Sequence, residues 1–163
     1  MFSPEDLTQI MRLDWKRDKI VKFNAGHLDI CALNPFDKRM LKDIPQYKER
    51  LKGLTDQSYA FTAMSEGEIY AMFGVYPMWP GVAEAWLIPS AIVNRRTISF
   101  HRASLRFFEY AASKLAIKRL QFTVHSLNVQ ADTWAKRCYF TSEGILKQYG
   151  PDSADYRMYA RFF

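Results

Sequence analysis

The sequence predicts a mixed α/β (α+β) fold, in which a mostly antiparallel central sheet carries helices on both faces. Apolar and polar residues alternate through the middle of the chain, from Tyr59 to Ile88, with a hairpin turn at residues 65–67. The period then changes to that of a long amphipathic helix, and another strand follows this helix. A strand–helix–strand unit of this kind needs a right-handed crossover, and therefore a parallel strand pair within the antiparallel sheet.

The first 25 residues are predicted as an N-terminal helical extension. Ser3 supplies an N-cap and Pro4 suits the first helical position, with two acids in the first turn. A basic stretch, Lys16 to Lys22, follows the helix. We therefore divide the chain into an extension over residues 1–25, which packs on the domain or is offered to a partner, and a domain over residues 26–163.

The first half of the domain is predicted to contain a strand, two helices and then three strands. Pro, Gly or Asn marks most of the boundaries, as is usual for turns. The predicted segments are a strand at Leu28–Leu33, helices at Phe36–Asp43 and Pro45–Lys52, and strands at Tyr59–Met64, Ile69–Tyr76 and Val82–Ile88.

The second half begins with the long helix, predicted over Thr97–Ala116. Its apolar residues recur at helical spacing, while Arg102, Arg106 and Glu109 occupy the other side. The segments after it are a strand at Leu120–Ser126, a helix at Val129–Cys138, and strands at Ser142–Tyr149 and Tyr156–Arg161.

Composition narrows the function classes. Cys31 and Cys138 lie far apart, which excludes a disulfide framework and zinc-ligand spacing, so we expect no metal and a reduced, cytoplasmic setting. We expect no signal peptide, because no apolar region follows a basic stretch at the N-terminus, and no membrane span, because no segment approaches 18 uninterrupted apolar residues. The net charge of +6 suits an anionic partner such as a phosphate-bearing cofactor or an acidic protein surface, and the alternative is that most of these scattered charges are solvated surface. Nucleic acid is not expected as a partner, because no nucleic-acid-binding motif is present.

An ordered set of residues links the last helix to the strand after it. Asn128, Ala131 and Phe140 span this helix, and Glu143-Gly144 followed by Leu146-Lys147 lies in the strand beyond. This set resembles the GNAT (N-acetyltransferase) superfamily, and its later part is similar to ribosomal-protein N-acetyltransferases. A second set lies within residues 57–163 and consists of Gly74-Val75, a Pro/Gly loop, Trp86-Leu87, the long basic helix, Asn128, Trp134 and Phe140. This set resembles GNAT-like bacteriophage proteins of the internal virion protein type. The resemblance implies a GNAT-like domain.

The resemblance also implies a phosphate-binding turn for acetyl-CoA at the start of the long helix. In the family, glycines there let backbone N–H groups approach the pyrophosphate. The matching stretch here is residues 94–100, in which Arg95 and Arg96 keep a charge attraction and Thr97 offers a helix cap, but no glycine is present. The alternative is that both arginines are loop charges and Thr97 is only an N-cap.

Three further residues are implied in cofactor binding. The pantetheine arm would run along the strand Val82–Ile88, the third of the three strands in the middle of the chain. There a splay from the next strand exposes the backbone of Leu87 and Ile88. Asn128 would either bond the cofactor or only cap the following helix.

Two residues are candidates for the general base that takes a proton from the acceptor amine. Glu84 lies on the third strand, which usually supplies this group in the family, and the alternative is a Glu at the rim of the sheet. His125 ends the following strand, and the alternative is a structural histidine. The family's usual proton donor, a Tyr, is replaced by Ala135, while Tyr139 lies four residues later.

The missing glycines and the missing Tyr favour a non-catalytic protein. The sequence therefore predicts a bacteriophage GNAT-fold protein with a degenerate acetyl-CoA loop, associated with the virion or with the head or tail. Its protein partners would contact the Trp79 loop or the N-terminal helix, it would reside in the infected host cytoplasm or in the virion, and it could form a homo-oligomer. The alternative is an active acetyl-CoA-dependent N-acetyltransferase that modifies a protein or small-molecule amine.

Overall fold

The fold is known from a computed structural model that describes residues 2–14, 16–57 and 59–163. The six helices described are α1 (Pro4–Ile10), α2 (His27–Ile30), α3 (Pro35–Asp43), α4 (Pro45–Gln57), α5 (Thr97–Lys114) and α6 (Val129–Arg137). The strands are β1 (Asp18–Lys22), β2 (Tyr59–Ser65), β3 (Glu68–Trp79), β4 (Val82–Pro89), β5 (Arg119–His125), β6 (Thr141–Leu146) and β7 (Tyr156–Phe162). A short 3-10 helix, Ala91–Arg95, precedes α5.

The described strands form one seven-stranded sheet in the order β1-β2-β3-β4-β5-β7-β6. Every neighbouring pair is antiparallel except β4 and β5, which are parallel and are joined through α5. The predicted mixed, mostly antiparallel sheet, with a parallel strand pair joined through the long helix, is therefore confirmed. The crossover matters for function because the β4/β5 pair is where the sheet opens.

Helices cover both faces of the sheet, as the sequence predicted. Helices α1, α5 and α6 pack on one face around a core that includes Phe73, Phe107 and Leu120. Helices α2, α3 and α4 pack on the other face around Met72 and Ile88. Because side chains alternate along a strand, successive residues of β4 and β5 point into different layers.

The N-terminal segment contributes a strand that the sequence did not reveal. Helix α1 ends at Ile10, and β1 then pairs with β2 along the edge of the sheet. Leu7 is fully buried, and together with Met11 and Ile20 it packs into the core of the α5 face. The interpretation of residues 1–25 as a helical extension is therefore wrong for Asp18–Lys22.

Two other local predictions differ from the structure. The strand predicted at Leu28–Leu33 is wrong, because His27–Ile30 form a helical turn and Leu33 makes only an isolated bridge to Ser90. The loop predicted after Tyr76 is shorter than expected, because β3 continues to Trp79 before the turn at Gly81.

Candidate functional site

The β4/β5 pair separates after three residues. Val82–Glu84 pair with Arg119–Gln121, yet β4 continues to Pro89 and β5 to His125 without further pairing between them. The facing edges of both strands therefore carry backbone groups with no partner strand. This is the splay expected beside Leu87 and Ile88, both of which line the cavity that it opens.

A cavity of about 1300 Å³ passes through this gap and reaches both helix layers. On the α5 face it is lined by Thr97, Phe108 and Trp134, and on the α3 face by Asp37, Tyr47 and Arg50. A ligand on one side of the sheet can therefore meet a ligand on the other side between β4 and β5.

The N-terminus of α5 lies at the part of the cavity on the α5 face of the sheet, which we call its first side; the part on the α3 face is its second side. Helix geometry leaves its first N–H groups without intrahelical acceptors, and these groups carry the positive end of the helix dipole. Arg96 is the N-cap residue and makes no side-chain cap hydrogen bond. The expected capping role of Thr97 is therefore wrong: Thr97 is the first helical residue, and it is exposed at the rim of the cavity.

The two arginines before α5 have different surroundings. Arg96 donates from Nη1 to Oγ of Ser65 at 3.1 Å and lies 3.4 Å from Oδ1 of Asp18. Its guanidinium thus ties the start of α5 to β1 and β2. Arg95 is exposed, and among the residues that the structure describes it makes no ion pair. Of these two arginines, Arg95 is therefore the one whose charge is free to attract a phosphate.

Asn128 caps α6. Its Oδ1 accepts a hydrogen bond of 3.1 Å from the backbone N–H of Ala131, and the residue also lines the cavity. Capping alone accounts for its position.

Glu84 lies on the α3 side of β4, within the cavity lining. Its Oε1 is 3.6 Å from Nη2 of Arg50, on α4. Burial raises the pKa of Glu84, and the charge of Arg50 opposes that rise. A carboxylate whose pKa lies above its ordinary value, placed beside the gap in the sheet, has the properties of a general base.

His125 is buried, and both of its ring nitrogens are engaged. The backbone N–H of Leu127 donates to Nδ1 at 3.0 Å, so Nδ1 accepts and the ring proton sits on Nε2. Nε2 then donates to Oδ2 of Asp152 at 3.2 Å. Phe36 and Tyr156 pack edge-on against the ring. With no free lone pair, His125 fits a structural role better than that of a base.

Asp37 is a cavity residue that the sequence did not identify. It lies in the first turn of α3, is only 8% exposed and lines the α3 side of the cavity. Nδ2 of Asn34 donates to its Oδ2 at 2.5 Å. Burial raises the pKa of Asp37 to about 6, against the lowering effect of this hydrogen bond. Its position after Asn34-Pro35 suggested only a helix start, and nothing local signalled its burial.

Solved structures with a similar fold include several acetyltransferases. The RimL ribosomal L7/L12 α-N-protein acetyltransferase in complex with coenzyme A aligns with a TM-score of 0.66 and 17% identity, over 90% of this chain and 94% of that chain. A GNAT-family acetyltransferase from Bacillus anthracis gives 0.67 and 15%, over 90% and 95%. Ard1 from Thermoplasma volcanium gives 0.70 and 12%, over 90% and 97%. The chain has the GNAT fold. No protein-family model matches the sequence, and no curated protein matches it.

The GNAT structures support the acetyltransferase resemblance and not the phage one. The aligned structures reported above are described as acetyltransferases, and they give no support to a non-catalytic virion role. Trp79, expected to anchor a protein partner, is 60% exposed at the end of β3. A protein partner at Trp79 or at α1 stays a prediction.

The residues of this GNAT-fold cavity suit acetyl-CoA. Oγ of Ser90 and Nε1 of Trp134 are buried, belong to residues that line the cavity and have no hydrogen-bond partner among the described residues. Within Val82–Leu115, all of which the structure describes, no residue has a positive φ. The turn before α5 therefore needs no glycine for its backbone conformation. The missing glycines affect only how closely a pyrophosphate can approach the backbone N–H groups.

The position of the family's tyrosine proton donor is filled by an apolar side chain. Ala135 is fully buried in the core, and Tyr139 is 68% exposed with a positive φ of 66°. Other phenols line the α3 side of the cavity: burial raises the pKa of Tyr156 to about 12 and raises that of Tyr47 as well. Both therefore keep their protons at neutral pH and can donate them.

Neither a membrane helix nor a metal cluster is found in the described part of the chain. None of its helices is long and apolar enough to cross a bilayer. No group of three or more His, Cys, Asp or Glu is placed to hold a metal ion.

Proposed function

We propose that the protein is an acetyl-CoA-dependent N-acetyltransferase that acetylates an amine. The observation that carries the proposal is the cavity through the β4/β5 gap, which joins the open N-terminus of α5 on one side to Glu84 on the other. RimL, which shares this fold, was solved with coenzyme A.

The first side of the cavity would hold the cofactor. The first N–H groups of α5 and the exposed Arg95 would bind the pyrophosphate. The unpaired edge of β4 at Leu87 and Ile88 would hydrogen-bond the amide groups of the pantetheine arm. When bound, acetyl-CoA supplies an acetyl group activated as a thioester.

The second side would hold the amine. Glu84 would accept the proton that an amine must lose to become nucleophilic, because burial raises the pKa of this carboxyl group and so makes it a stronger base. Tyr156 and Tyr47 would supply the proton that the departing thiolate takes up.

The test is a charge placed at the N-terminus of α5. In Ser99→Glu, an acidic residue in the first turn favours the helix dipole but repels a pyrophosphate. We expect the variant to fold as stably as the wild type and to bind acetyl-CoA at least about 10-fold more weakly by calorimetry. Ser142→Glu, on the exposed strand β6, makes the same change in net charge and should leave binding unaffected.

A transfer assay completes the test. Free thiol released from acetyl-CoA is measured with a panel of primary amines, and N-acetyl products are identified by mass spectrometry. Acetyl-CoA that fails to bind at millimolar concentration, or binds equally to wild type and Ser99→Glu, would overturn the proposal.

A further inference from the structure

Asp37 is the carboxylate of the cavity for which the structure provides no positive charge. Glu84, the other carboxylate in the cavity lining, faces the guanidinium of Arg50. Asp37 is hydrogen-bonded to the neutral amide of Asn34, and among the described residues it forms no salt bridge.

The groups that face Asp37 from other elements carry no positive charge either. Those coupled to it electrostatically are Cys31 after α2, Tyr47 on α4 and Tyr156 on β7. Each of these is neutral or negative at any pH. Arg50 lines the same cavity, but its guanidinium pairs with Glu84.

A buried carboxylate without a counter-ion is costly, because the charge has lost its hydration without gaining a partner. It is nevertheless ionised in most molecules at pH 7.5, since its pKa is about 6. A cation that enters the cavity would remove this cost. The walls beside Asp37 are aromatic, and the faces of Phe36, Tyr47 and Tyr156 attract cations and pack against apolar groups.

We propose that Asp37 is the counter-ion for the ammonium group of the acceptor, so that the acceptor is a primary alkylamine that enters as a cation with an apolar or aromatic group beside it. This inference rests on the proposed function, because it names the acceptor class of the same site. Asp37 determines specificity and binds the amine, whereas Glu84 takes its proton.

The test compares two probes of the same shape. 2-Phenylethylamine is cationic and 2-phenylethanol is neutral, and the binding of each is measured by calorimetry at pH 7.5 and pH 5. We expect the wild type to bind the amine about 10- to 100-fold more tightly than the alcohol at pH 7.5. At pH 5 Asp37 is mostly protonated while the amine stays charged, so the preference should fall.

The variant Asp37→Asn keeps the acceptor oxygen for Asn34 and removes the charge. It should bind the amine no better than the alcohol, at either pH, with affinity for the alcohol unchanged. Asp43→Asn, an exposed acid on the same helix, is the matched control and should keep the wild-type preference. His125 also lines this part of the cavity. A pH dependence of amine binding that persists in Asp37→Asn would therefore come from a group other than Asp37.

The outcomes separate the two proposals. If the wild type shows no preference for the amine, or if the preference survives Asp37→Asn, the role of Asp37 is overturned whatever the transfer assay gives. If the preference depends on Asp37 but no amine is acetylated, the cation site stands and the acetyltransferase proposal fails.

Discussion

Glu84 and Arg50 set the pH at which the proposed base is available. The burial of Glu84 raises its pKa and the positive charge of Arg50 lowers it. Removing that charge in Arg50→Ala should therefore raise the pKa further, and the acidic limb of kcat/KM should move to higher pH. The shift should be less than about one pH unit, because Arg50 is largely exposed and its charge is screened by water.

The measurement is a pH profile of thiol release for the wild type and Arg50→Ala. Glu84→Gln should lose activity by about 100- to 10,000-fold and show no such limb, as expected when a general base is removed. Lys52→Ala removes an exposed cation from the same helix, where it pairs with Glu49, and should leave the profile in place. A limb that stays fixed in Arg50→Ala would exclude Glu84 as the base.

At the scale of elements, the two adjacent arginines before α5 have different roles. Arg96 links α5 to β1 and β2 through Asp18 and Ser65, whereas Arg95 is exposed beside the helix N-terminus. Arg96→Ala should therefore lower the free energy of unfolding by about 1 kcal/mol. Arg95→Ala should leave stability unchanged but weaken acetyl-CoA binding several-fold, because it removes an exposed charge near the phosphates.

Urea unfolding measures the stability of both variants, and calorimetric titration measures their affinity for acetyl-CoA. We expect the stability loss in Arg96→Ala and the affinity loss in Arg95→Ala. Equal losses of affinity in the two variants would show that the arginines act as one patch. The sequence predicted such a joint role, because the two arginines are adjacent. The contacts of Arg96 with β1 and β2 are what distinguish them in the structure.

The sequence predicted elements wherever the hydrophobic period was strong. Helix α5 was clear because its buried residues, such as Phe107 and Ala111, repeat at helical spacing over five turns. The run Leu28–Leu33 was too short to distinguish a strand from a helix, and Ile30 proves to be 72% exposed. Strand β1 was hidden because it is an edge strand with charged residues around a single buried Ile20.

The candidate site was only partly predictable, for a related reason. Glu84, Leu87 and Ile88 follow from the fold, because the splay of β4 from β5 comes with the crossover. The burial of Asp37 and the engagement of both nitrogens of His125 depend on how α3 and the turn after β6 pack against the sheet. No local pattern encodes contacts between segments that are so distant along the chain.

At the scale of the whole molecule, the N-terminal segment is part of the main core. Leu7 on α1 is fully buried, in the same cluster as Phe107 on α5 and Phe73 on β3. Leu7→Ala should therefore destabilise the entire protein by about 2 to 5 kcal/mol, as expected for a cavity in a continuous core. Ile30→Ala, at a 72% exposed position on α2, should change stability by less than about 0.5 kcal/mol.

Urea unfolding followed by both tryptophan fluorescence and circular dichroism checks this prediction. A single transition that moves to lower urea in Leu7→Ala, and coincides for the two probes, is the result expected if residues 2–22 and the rest of the sheet unfold together. The opposite result is a wild-type transition midpoint in Leu7→Ala, or an early transition that leaves the main one in place. Either outcome would mean that the N-terminal segment is a separable extension, and that the core around α5 does not need it.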